Sequence, residues 1–150
     1  MRAVNRRIFP LILVGVVSLV STASHAAERE DAIAAGKAVM AALAEKNFAL
    51  IWDTLASDTF KKAGSRESFV TGFPELRRKI GRLRSSNIAH VLYSPPRADP
   101  KMKETYSVVF ENVYATGLLG FFSTGTLTEQ IVLIEENGQF KMLGWALPLP

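Results

Sequence analysis

Thr126-Leu127-Thr128-Glu129-Gln130-Ile131-Val132-Leu133-Ile134-Glu135-Glu136-Asn137-Gly138-Gln139-Phe140-Lys141-Met142-Leu143-Gly144-Trp145-Ala146-Leu147 is the stretch that decides the fold. Two runs with strand character flank Asn137-Gly138, the residue pair that a two-residue type I′ hairpin turn prefers, because both central positions need positive φ. Strands are predicted over Thr126–Ile134 and Gln139–Leu147, with Pro148 ending the pairing.

Upstream the same period of two continues. Thr105–Thr116 predicts a long strand with Tyr106, Val108, Phe110 and Tyr114 on one face, interrupted by Asn112. Ile88–Tyr93 predicts a further strand, ended by Pro95-Pro96 and a polar loop to Lys103. Before Ser86 the period is helical. Ile33, Gly36, Met40 and Leu43 mark one helix, with Lys37 and Glu45 off that face. Asn47 caps a second, compact helix with Phe48, Ile51, Trp52 and Leu55 on its apolar side. Ser57–Gly64 reads as a polar connection anchored by Phe60. Ser65 caps a third helix, with Glu67 in its first turn and an apolar stripe of Phe69, Phe73, Leu76, Ile80 and Leu83. Gly72 and Pro74 predict a kink or break within it, and Gly81 a stop.

The first 26 residues read as an address. Arg2, Arg6 and Arg7 form a basic n-region, Ile8–Val20 is apolar apart from Pro10 and Gly15, and Ser24-His25-Ala26 offers a small-x-small cleavage site before Ala27. The apolar run is shorter than the roughly 20 residues of a membrane span. Asn5-Arg6-Arg7-Ile8-Phe9 resembles a twin-arginine signal. The strongly apolar h-region and the lack of an evident cofactor site favour the Sec route instead. The expectation is a cleavable signal peptide over 1–26, a single domain over 27–150, and a periplasmic or secreted protein. With no cysteine at the cleavage site, no bacterial lipid anchor is expected.

The charge reading depends on that cleavage. The chain has 18 Lys+Arg against 14 Asp+Glu. Loss of the three leader arginines leaves 15 against 14, so the basic balance is mostly a targeting signature. There is no cysteine, which excludes disulfides, thiol nucleophiles and thiolate metal sites. The fold must therefore be held by core burial.

The order of N-terminal helices wrapped by a curved antiparallel sheet resembles the nuclear transport factor 2-like cone. More closely, the chain resembles a bacterial family of small exported domains of unknown function. The matching residues are Phe48-Ala49-Leu50-Ile51-Trp52-Asp53, then Arg77 and Gly81, then Thr128–Leu133 leading through Asn137–Lys141 to Gly144-Trp145. Phe140, Pro74 and the apolar Leu118–Phe122 segment depart from that pattern. The resemblance implies an α+β fold, with helices on a strongly curved antiparallel sheet of about four strands, and an exported location. It carries no mechanism.

The cone implies a cavity in which Asp53, His90, Tyr106, Glu129 and Trp145 are the candidate participants. A desolvated carboxylate there is expected to serve as a general base, beside Tyr106 or His90. Against this, no nucleophile–base pair or acid dyad stands at diagnostic spacing, and these residues also read as solvent-facing or cross-strand partners. His90 is the only histidine after residue 26, so neither a metal nor another cofactor is expected. Lys61–Lys103 holds eleven bases against three acids. Arg77, Arg78, Arg82 and Arg84 within it are candidates for an anionic partner or surface, or a solvated helix face with Glu75–Lys79 paired. Nucleic acid is disfavoured by compartment and by the lack of interleaved aromatics. Leu118, Leu119, Phe121 and Phe122 form either a strand continuation or an exposed contact patch. Burying the four would contribute roughly 6–12 kcal/mol gross.

Together these residues favour an exported, non-enzymatic binding or accessory module for an unknown protein or small ligand, self-associating through its sheet or apolar segment. One alternative is an isomerase- or hydratase-type enzyme using a pocket carboxylate. Another is peripheral, non-integral contact with an anionic membrane through residues 61–103.

Overall fold

The computed structural model describes residues 17–96, 103–118 and 121–147. The helical half is α1 (Val17–Ala44), α2 (Phe48–Leu50) running into a π-helical turn (Ile51–Leu55), α3 (Asp58–Lys62) and α4 (Arg66–Ile80). The strands are β1 (Arg82–Ser94), β2 (Thr105–Leu118), β3 (Phe121–Glu136) and β4 (Gln139–Ala146). They form one antiparallel sheet in the order β1-β2-β3-β4. The fold is α+β, N-terminal helices packed on a four-stranded sheet.

Local chemistry explains most boundaries. Asn47 accepts from the Leu50 N–H at 3.1 Å, and Ser65 from Ser68 at 3.1 Å, so both predicted caps form. Gly81 ends α4 at φ 100°, a conformation that favours glycine, and β1 begins at the next residue. Asn137 and Gly138 take φ 55° and 75°, as the type I′ turn demands. The 57–64 segment is not simply a polar connection: Ser57 accepts from Phe60 N–H at 3.0 Å and starts α3. Ser57 also donates its backbone N–H to Met142 at 2.9 Å, tying this segment to β4.

Three expectations change. The sheet is not strongly curled. β2 and β3 pair in unbroken register from Thr105↔Ile134 to Leu118↔Phe121, whereas the irregularities lie in the β1–β2 and β3–β4 pairings. Sharp bending needs bulges, and the central pair has none. Second, α4 runs through Gly72 and Pro74 without a break. Packing on both sides of the proline, by Phe69 and Phe73 before it and Arg77 and Ile80 after it, keeps one helix. Third, the strands are longer than predicted, so Leu118, Phe121 and Phe122 fall in β2 and β3 as strand continuation. Leu119 lies outside the described residues, as do the side chains of 116–123.

The core sits between the helices and the inward face of the sheet. Ala32, Val39, Met40 and Leu43 of α1 meet Tyr106, Val108 and Phe110 of β2 and Ile131 and Leu133 of β3. The closest approach is at Gly36, where a Cβ would stand 3.0 Å from Val108 Cβ and Cγ2. Gly72 on α4 has nothing within 4 Å of that position. The same substitution therefore has opposite signs at the two sites. Gly72→Ala is expected to stabilise by about 0.5–1 kcal/mol through helix propensity. Gly36→Ala is expected to lower stability, because the fully buried Val108 has little room to retreat. Thermal melts of the two variants against the parent chain check this.

Candidate functional site

Alternation along β3 puts Glu129 on the same face as Ile131 and Leu133, so its carboxylate points into the core with no exposed surface. Register places it opposite Phe110 of β2. A buried carboxylate is costly unless its lone pairs and charge are matched. Here both are. Glu129 Oε2 accepts from Arg77 Nη1 and from Trp145 Nε1, the latter at 2.7 Å. Oε1 accepts from Asn112 Nδ2 at 2.8 Å and from the Tyr114 hydroxyl. Arg77 Nη2 donates to the Tyr114 oxygen at 2.9 Å, and the guanidinium carbon lies 5.5 Å and 5.7 Å from the Tyr114 and Trp145 ring centroids. The five side chains come from four elements: Arg77 from α4, Asn112 and Tyr114 from β2, Glu129 from β3 and Trp145 from β4.

Burial pushes the Tyr114 phenol up to about 12, and its hydrogen bond to the Glu129 carboxylate adds to the rise, against the opposing charge of Arg77. Chemically the cluster is closed. A carboxylate has about four accepting positions, and protein donors fill all of Glu129's, so none remains to take a substrate proton. Asn112 Oδ1 is the buried side-chain acceptor left without a partner among the described residues, and Asn112 Nδ2 also lies 3.6 Å from Met40 Sδ.

The other sequence candidates do not join this cluster. Asp53 is half exposed and held by Arg66 through two 2.8 Å hydrogen bonds. That hydrogen bonding lowers its carboxyl below the usual range, with Arg66's charge also contributing. His90 is exposed on β1, opposite Val109, on the sheet face away from the helices. Tyr106 faces inward, but four residues along β2 from Phe110, roughly 13 Å at about 3.3 Å per residue. Its phenol is raised chiefly by burial and then by the charges of Glu28 and Glu104. Only Glu129 and Trp145 of the proposed set meet.

Arg77 is withdrawn from the surface cations: it is 6% exposed and paired with Glu129. The reason is helical phase. The packed face of α4 runs Phe69, Phe73, Arg77, Ile80, while Leu76, assigned to the stripe by its apolarity, is 43% exposed. Arg78, Arg82 and Arg84 remain exposed. Arg78 pairs with Glu75 at 2.9 Å, in place of the expected Glu75–Lys79 pair.

Among the described residues, open grooves flank the core on two sides. One, of about 480 Å³, lies between α1 and β1 over Met40, Ala41, Ala44, Leu83, Ile88 and Phe110. The other, about 290 Å³, is walled by Trp52, Phe60, Phe69 and Phe73. Among the described residues no group of three or more His, Asp or Glu is placed to hold a metal ion, and no helix is long and apolar enough to cross a membrane. Comparison with protein-family models, curated proteins and solved structures finds no match.

Two consequences are measurable. Removing the acid in Glu129→Ala strands a buried guanidinium and is expected to cost about 3–5 kcal/mol, read by urea unfolding. The pH effect of Tyr114 also has a definite sign. The folded state holds this proton more tightly than the unfolded chain, whose phenol titrates near 10. Its contribution is therefore complete below pH 10 and lost as pH rises from about 10 towards 12. Tyr93 and Tyr106 shift in the same direction, so the comparison is with Tyr114→Phe, whose stability should fall less steeply over that interval.

Proposed function

We propose that this chain is an exported, non-enzymatic binding module of the periplasm or cell exterior. The carrying observation is the saturation of Glu129: the carboxylate best placed for pocket chemistry is consumed by Arg77, Asn112, Tyr114 and Trp145. This saturation weighs against Glu129 as the base of the isomerase or hydratase reading. Among the described residues two grooves stay open, and the one of about 480 Å³ falls within the roughly 300–1,000 Å³ typical of small-molecule sites.

Export is supported by the tripartite leader and by the layout of α1. From Ser24 onward, the first buried residue is Ala32, so cutting after Ala26 removes no described core residue. A nuclear transport factor 2-like relationship is supported by the helices-then-sheet order and by a polar cluster lying between the two layers. The weak curl of the sheet departs from a steep cone. The anionic-membrane reading now rests on Arg78, Arg82 and Arg84 without Arg77.

Native mass spectrometry of the protein recovered from the periplasm of a producing bacterium tests the proposal. The expected species begins at Ala27 and carries a non-covalent small molecule or a second copy. A chain retaining residues 1–26, or a bare monomer, would count against it.

A further inference from the structure

The 480 Å³ groove exists because of two small residues. On α1, Lys37, Met40, Ala41 and Ala44 follow one another at i, i+3, i+4 and i+7, so they form a single stripe along the helix. Ala41 and Ala44 are exposed, and their short side chains leave uncovered the space against Leu83 and Ile88 that larger residues would fill. Buried Met40 and Phe110 form the floor. The stripe is polar at one end only. Lys37 is exposed at its N-terminal end, in no ion pair with another described residue, and no carboxylate lines the groove. From Lys37 to Ala44 the helix rises roughly 10 Å at about 1.5 Å per residue, the span of a short acyl chain.

We propose that this groove binds a medium-chain carboxylate, with the chain along Ala41, Ala44, Leu83 and Ile88 and the carboxylate on the Lys37 ammonium. The assignment rests on the binding-module reading and names the ligand class for its larger groove. The physical logic is complementarity at both ends. Apolar surface is covered by apolar chain, and a lone rim cation meets one anion at the water boundary, where it need not be desolvated. Ser86 and Asn87 add polar contacts at the β1 side. Ser86 stands opposite Asn112 in the β1–β2 register, so the two residues lie side by side on the same face of the sheet.

The test is isothermal titration of the mature protein with decanoate below its micellar range, beside decanol and decyltrimethylammonium. Decanoate is expected to bind at one site per chain, decanol at least tenfold more weakly, and the cationic amphiphile not at all. Lys37→Glu should weaken decanoate at least tenfold while leaving decanol unchanged. Ala41→Trp, which fills the groove, should abolish both. Lys37 is exposed, so its variant remains informative even if the tryptophan variant fails to fold. Equal affinity for the three headgroups, or unchanged decanoate binding in Lys37→Glu or in folded Ala41→Trp, overturns the assignment. If decanoate fails to bind while the periplasmic protein retains a different molecule, the ligand class falls and the binding-module reading stands.

Discussion

One buried carboxylate organises this molecule. Glu129 takes hydrogen bonds from α4 through Arg77, from β2 through Asn112 and Tyr114, and from β4 through Trp145. Each donor can reach it only when its own element is in the observed position, so the cluster ties the last helix to three strands at once. Apolar packing is tolerant of small shifts, since dispersion and area burial are non-directional. Hydrogen bonds to a fully buried acid are not tolerant, because each misplaced donor leaves a desolvated group unsatisfied. That constraint complements the apolar core of Val39, Leu43, Val108, Ile131 and Leu133, to which α4 adds Phe69 and Phe73.

The same arrangement explains why the space between helices and sheet holds a structural cluster in place of an open reactive pocket. Arg77 lies over the Tyr114 and Trp145 rings, and Phe73 packs edge-on to Trp145 with centroids 5.1 Å apart. Aromatic surface closes over the ion pair from the α4 side. Accessible volume is displaced outward, to places where small residues face solvent: Ala41 and Ala44 on one side, Ala63 and Gly64 on the other. That the sheet is not strongly curled has a different cause, the uninterrupted β2–β3 ladder.

Much of the local architecture was legible residue by residue. Asn47, Ser65, Gly81 and the Asn137-Gly138 pair each act through their own backbone geometry or an immediate neighbour, and all four behave as read. The inward position of Glu129 was also within reach, because parity along β3 puts it in phase with Ile131 and Leu133. Asn112 was visible as the polar interruption of an inward-facing row. What those positions shared was not visible. Arg77 sat in a run of basic residues and so was grouped with surface cations, although its spacing of four from Phe73 puts it on the packed side of α4.

By itself, then, the chain determined its longer helices and its strands, their order, the hairpin and the inward face of β2 and β3, since these depend on interactions within a few residues. Tertiary structure alone decided that Arg77, Asn112, Tyr114, Glu129 and Trp145 converge, that Leu76 faces water, and that the sheet is not strongly curled. Those outcomes depend on the phase of one helix against strands up to 68 positions away, and on whether the two central strands pair without a bulge. A charged group is driven inside only when partners from distant segments arrive together to offset its lost hydration.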